Sequence, residues 1–164
     1  MPPARTSRNR IPPEQHSDPA AVRLAAITLL ARRDFAGKEL CGKLSERGFA
    51  ADTCQAVLAD LARAGLLNEA RYVDTYVTSH ATRGQGPARI GADLRRKGVP
   101  EGLIEQGLGA PDWIELARKV RRGKFGANPP RDWAEKARQA RFLQYRGFSA
   151  DHIRAATGAD PDLD

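Results

Sequence analysis

Apolar side chains recur along this chain at helical spacing, and no stretch sustains the two-residue alternation of a strand. The segment AAVRLAAITLLARR predicts a first helix over 19–33, with Asp18 as its cap and Pro19 at the first helical position. Asp34 is placed to cap a second helix, in which Leu40 and Leu44 form an apolar i, i+4 pair. Asp52 opens a third, which carries Val57, Leu58 and Leu61 and stops at Gly65. The plan then recurs: Asn68 caps a helix bearing Tyr72, Val73, Tyr76 and Val77, Pro87 restarts the chain after Gly84-Gln85-Gly86 and leads through Ile90 and Leu94, and a third helix near Pro100 reaches Leu108. Pro111-Asp112 begins the last set, with Trp113, Leu116, Ala117 and Val120, a loop GKFGANPPR, a helix holding Phe142 and Leu143, and a short helix after Ser149.

Three stops tie these sets together. Arg47-Gly48-Phe49, Lys97-Gly98-Val99 and Arg146-Gly147-Phe148 each join a basic residue, glycine and an apolar residue, and the glycines are 50 and 49 residues apart. Each glycine has leucine four positions before it (Leu44, Leu94, Leu143) and Cys54, Ile104 or Ile153 six positions after it. Glycine just past a helix takes the left-handed conformation without a Cβ clash, and the apolar residue after it folds back on the last turn. Self-similarity at fixed period predicts an all-α fold of three tandem three-helix repeats in an elongated, curved array. The repeats are 18–67, 68–110 and 111–158, between a disordered basic tail, 1–17, and a short acidic tail, 159–164.

Composition changes this picture mainly through charge. Aromatics make up 6% of the residues, so alanine and leucine do most of the packing. A formal charge of +7 favours an anionic partner, nucleic acid or an acidic protein face. Cys41 and Cys54 flank the first stop where small apolar side chains belong, and are read as buried reduced thiols rather than a disulfide or metal site. No apolar run approaches a bilayer span and the N-terminus lacks a signal-peptide core, so a cytoplasmic protein with no membrane association is expected.

Catalytic chemistry finds no support. His16, His80 and His152 fall in different segments, and no serine or cysteine sits in a recognisable nucleophile signature, so a non-enzyme without cofactor or metal is expected. Gly84-Gln85-Gly86 lacks the strand and lysine of a phosphate loop and is read as a helix break. Basic clusters say more. Arg83, Arg89, Arg95, Arg96 and Lys97 face a single acid, Asp93, between 83 and 98; Arg89 and Arg96, seven apart, share a helix face. Between 118 and 146 ten basic residues, among them Arg118, Arg121, Arg122, Lys124, Arg138 and Arg141, stand against Asp132 and Glu135. Such residues neutralise phosphates without reading bases; helix solubility and dipole pairing by Arg96, Lys97 and Arg146 are the alternative. Tyr72 and Tyr76 are an i, i+4 pair that either packs or stacks on single-stranded bases, and Trp113 and Trp133 are read as core or staple contacts.

The strings LLARRDFAGKELCGKLSERGF, LADLARAGLLNEARYVDTYV, RGQGPARIGADLRRKGV and ARFLQYRGFSADHI together resemble the RecX family, bacterial regulators of the RecA recombinase. The resemblance runs from about Pro19 to Ala156. It implies a non-enzymatic monomer that binds the RecA filament on single-stranded DNA, touching DNA directly or through the filament, and inhibits recombinase, ATPase and coprotease activities, modulating DNA repair and the SOS response. Carried onto this sequence, it assigns Gly84, Gly86, Pro87 and Ile90 to the helix break and core. Arg83, Arg89, Arg95, Arg96 and Lys97 fall on the contact surface, with Arg71 and Tyr72 beside them; Arg71 has an alternative as a structural ion-pair partner. The chain departs from the family pattern at His80 and Thr82, where many relatives carry basic residues. The competing reading is an autonomous single-stranded nucleic-acid-binding protein that acts by competition for DNA; a nuclease would need clustered metal-binding carboxylates.

Overall fold

The structure, a computed structural model, describes residues 10–158. Among these residues it contains a 3-10 turn, Pro13–Gln15, and nine α-helices: α1 (Pro19–Leu30), α2 (Gly37–Glu46), α3 (Ala51–Arg63), α4 (Glu69–Thr82), α5 (Pro87–Arg96), α6 (Glu101–Leu108), α7 (Trp113–Phe125), α8 (Trp133–Tyr145) and α9 (Ala150–Thr157). The fold is all-helical. The acidic end 159–164 and the first nine basic-tail residues lie outside the described residues. Two compact units emerge: residues up to Tyr72 with Lys97–Val99, and Val73–Arg96 with the chain from Pro100 onward.

Every leucine, thiol and apolar position that defines the repeat is buried. Leu44, Leu94 and Leu143 are fully enclosed, as are Cys54, Ile104 and Ile153, and Phe49, Val99 and Phe148 are nearly so. The stops explain why. At the end of α2 the Phe49 N–H donates to the Leu44 carbonyl (3.2 Å) and the Gly48 N–H to that of Ser45 (3.0 Å); α8 ends identically through Phe148 to Leu143 (3.1 Å) and Gly147 to Gln144 (3.0 Å). These paired bonds are a Schellman closure, and its apolar contact joins the leucine to the aromatic ring. Gly48 and Gly147 hold φ of +106° and +96°, which a side chain would resist.

Helix starts follow the sequence in most places. Asp18, Asn68, Asp112 and Ser149 accept backbone N–H bonds from Ala20, Arg71, Glu115 and His152. Asp34 does not cap α2, which starts at Gly37 behind Ala36. The Gly37 N–H donates instead to Glu69 Oε1 (3.2 Å), and Asp34 is held by Arg71, whose Nε and guanidinium NH2 each donate at 2.8 Å. A cap supplied from 32 residues away leaves no local pattern. Two lengths also change: α1 ends at Leu30 rather than at 33, and α7 continues through Gly123-Lys124-Phe125, where Phe125 meets Phe142 edge-on at 5.3 Å.

Residues 10–17 correct the expected tail. The Ile11 N–H donates to the Arg47 carbonyl (3.0 Å), the Ala50 N–H to that of His16 (2.7 Å), and Ile11 packs on the core of the first unit. This segment covers the first stop because the Arg47 carbonyl, past the end of α2, otherwise lacks a backbone donor. Deleting residues 1–17 is therefore expected to lower the stability of the first unit by about 1–2 kcal/mol, read by urea unfolding. A freely disordered tail predicts no change.

In the second unit, α5 packs on α6, and α7, α8 and α9 pack on one another. The last stop docks on the segment ahead of α5. The Gly86 N–H donates to the Arg146 carbonyl (2.8 Å) and the Ala88 N–H to that of Gly147 (3.0 Å). A Cβ on Gly86 would overlap the Gly147 carbonyl and the Phe148 nitrogen, and one on Gly147 would lie 2.6 Å from the Arg89 Cβ. The glycine motif read as a helix break is a backbone-to-backbone junction between the second and third repeats.

Candidate functional site

That junction sets the end of α4 beside α7 and α8 and leaves a cleft of about 400 Å³. Arg83, Lys119, Lys124 and Arg146 line it, with Val120 and Phe142 among the apolar lining and no carboxylate in it. Gly84 makes the close approach possible: a Cβ there would stand 3.3 Å from Val120 and 3.4 Å from the Arg146 guanidinium. Arg146 is braced twice, donating to the Arg83 carbonyl (3.3 Å) and lying over the Phe142 ring (5.1 Å). Lys124 also sits over Phe142 (5.9 Å). A ring face stabilises a cation without neutralising it, so the cleft keeps its positive potential.

Five of the other basic residues of the two clusters have carboxylate partners: Arg95 pairs with Glu101 through two bonds (2.8 and 2.6 Å), Arg96 with Asp93, Arg131 with Glu135, and Arg122 and more distantly Arg118 with Glu115. Outside the clusters, Arg71 pairs with Asp34. Arg71 is thus a structural tether, the alternative reading of that residue. Its hydrogen bonds, and then its charge, hold the Asp34 carboxyl below the usual range. A carboxylate lowered by folding stabilises the native state above its unfolded value, and that contribution disappears as pH falls through the native one. Asp34→Asn should therefore lower the thermal midpoint at pH 7 and have no effect at pH 2, checked by circular dichroism; exposure of Arg71 keeps the shift modest.

Two residues assigned to a contact surface are enclosed. Tyr72 is 7% exposed, because an apolar ring on the inner side of α4 packs inward. Arg121 is 6% exposed and donates to the Asn128 carbonyl at 3.1 Å, closing the turn after α7. Trp133, expected as a core or staple residue, is 71% exposed. Trp113 is buried as expected, its indole N–H on the Leu108 carbonyl (2.7 Å). Lys97 belongs to the first unit; Glu39 there is pushed up by burial but is brought below the usual carboxylate range by Arg33, with Lys97 and Lys43 assisting. Cys54 is buried, which pushes its thiol up to about 11, and both cysteines are free thiols.

Of the expected residues, Arg83, Arg89, Lys124 and Arg141 are exposed and have no carboxylate partner among the described residues, and neither has Lys119, which shares the cleft with Arg83 and Lys124. Arg138 lies over the Phe125 ring at 5.7 Å. Next to them Tyr76 is half-buried and stacks on His80 (3.8 Å between centroids); burial raises its phenol, while the fields of Arg96, Arg83 and Arg89 oppose that rise. Lys119 and Arg146 are the residues that the sequence did not single out for contact. Both stand in the basic run, but only the packing of α7 and α8 against the end of α4 brings them to Arg83.

The three-helix units match a known family. Residues 68–108 match the model of the second three-helix domain of RecX, and 111–157 that of the third. The chain belongs to the RecX family. It is 47% identical to the regulatory protein RecX of Halorhodospira halophila over 88% of this chain and 91% of the relative, and 42% identical to that of Ectopseudomonas mendocina over 87% and 97%. The crystal structure of RecX from Lactobacillus salivarius shares its fold, with a TM-score of 0.75 at 21% identity, over 90% of this chain and 98% of that one. Among the described residues of this family member, no helix is long and apolar enough to cross a membrane.

Proposed function

We propose that this chain is a non-enzymatic cytoplasmic regulator that binds, as a monomer, the RecA filament on single-stranded DNA. It inhibits recombinase, ATPase and coprotease activities and so modulates DNA repair and the SOS response. Membership of a family whose relatives are named regulatory proteins supplies the class. The observation that carries the reading is the uncompensated basic set on the second and third repeats, Arg83, Arg89, Lys119, Lys124, Arg141 and Arg146, which suits a filament of protein and polyanion. Arg95, Arg96, Arg118 and Arg122 enter only as partly neutralised neighbours.

The test is the rate of ATP hydrolysis by the cognate RecA on single-stranded DNA, titrated with this protein. Inhibition at concentrations far below those that coat bare DNA supports the reading. Inhibition only once the strand is coated favours an autonomous single-stranded nucleic-acid-binding protein, for which the same cleft would suffice.

A further inference from the structure

We infer that the cleft formed by Arg83, Lys119, Lys124 and Arg146 is a seat for a backbone phosphate of single-stranded DNA, built by docking of the third repeat on the second. The inference rests on the reading above and names the group that one part of the surface contacts. Two cations of α7 and one just past the end of each of α4 and α8 converge on a concave site with no acid in its lining. Bringing like charges together is unfavourable in the free protein, and eight arginines outside the cleft, Arg33, Arg63, Arg71, Arg95, Arg96, Arg122, Arg131 and Arg154, each have a carboxylate within 3.5 Å. In the cleft no such relief is present, which is the arrangement expected where the counter-charge is supplied by a ligand.

The geometry favours a phosphodiester over a flat apolar ligand or a stacked base. The ring of Phe142 already carries Arg146 and Lys124 over it and Phe125 at its edge, so it serves as a support for cations and is not an open stacking platform. Arg146 uses one donor on the Arg83 carbonyl and keeps the rest of its guanidinium fork for an oxyanion. Its position is fixed by the junction, because its own carbonyl accepts from Gly86. Lys119 and Lys124 are exposed on α7 and act as point charges. The seat reads phosphate spacing and not sequence.

The test uses the full chain and a fluorescein-labelled oligothymidylate, with anisotropy measured across a salt series and no RecA present. Lys119→Glu with Lys124→Glu should weaken binding about tenfold or more and reduce the salt slope by about 1.4, the value for two lost phosphate contacts on a single strand. Lys119→Gln with Lys124→Gln, a milder change at two exposed sites, should reduce the slope equally with a smaller loss of affinity. Arg23→Glu with Arg32→Glu alters net charge identically on two exposed residues of the first unit and should leave the slope nearly unchanged. Equal losses in the two reversed pairs would overturn the seat in favour of general attraction, and so would an unchanged slope in both cleft pairs. Displacement of the strand by equimolar pyrophosphate would overturn it in favour of a free-phosphate site. Wild-type inhibition of RecA ATP hydrolysis is measured alongside. If it persists while the cleft variants bind DNA normally, the seat fails and the regulatory reading stands; its absence in the wild type sinks the regulatory reading by itself.

Discussion

Gly86→Ala should destabilise the second unit by about 3 kcal/mol or more, although alanine is the better residue for most backbones. Gly86 does not hold a positive φ, so the new methyl group meets no objection from its own backbone. The obstacle is the neighbouring chain, since that methyl would occupy the space of the Gly147 carbonyl and the Phe148 nitrogen. Relief requires the two strands of the junction to part, which breaks the Gly86–Arg146 and Ala88–Gly147 bonds and leaves polar backbone groups without partners. Gly65→Ala is the control. Its φ of +76° costs about 1–2 kcal/mol, but nothing lies within 4 Å of the added carbon. Denaturant unfolding should rank Gly86 well above Gly65, and hydrogen exchange at the amides of residues 86 and 88 should accelerate in the Gly86 variant. A helix break alone would give the opposite ranking, because only Gly65 needs the left-handed backbone.

Leu143→Ala is expected to cost about 3 kcal/mol. The side chain is fully buried, and its carbonyl receives the N–H of Phe148, so the same residue anchors both the apolar and the hydrogen-bonded halves of the stop. Removing three carbons leaves a cavity where α8 turns, next to a ring that cannot collapse into it without moving the junction. Leu24→Ala, on a side chain that is 69% exposed, should change stability by no more than about 0.5 kcal/mol. If the two substitutions have similar effects, the repeat alignment built on Leu44, Leu94 and Leu143 does not describe the core.

The repeat was legible because its physics is local. Leucine, basic residue, glycine and apolar residue lie within six positions, and the hydrogen bonds that close the helix join those same residues. Most helix caps were legible for that reason too. Asp34 was misread because its partner, Arg71, lies 37 positions away, and a local rule offered it the nearest helix instead. The ordered segment at Ile11 was missed because prolines and positive charge resemble a tail until the Arg47 carbonyl is found waiting for a donor. For the candidate site, charge density in the sequence located the right two repeats but could not separate neutralised from free cations. Arg95 and Arg83 look alike in a string; only one has a glutamate across two bonds. Lys119 and Arg146 became candidates when Gly84 and Gly86 brought the helices together.

The most direct measurement of the central claim is the affinity of this protein for a preassembled filament of the cognate RecA on single-stranded DNA, against its affinity for the same strand alone, in one buffer and at one salt concentration. Filament-directed regulation predicts much tighter binding to the filament, with both affinities falling as salt rises. Equal affinity for filament and bare strand would contradict it.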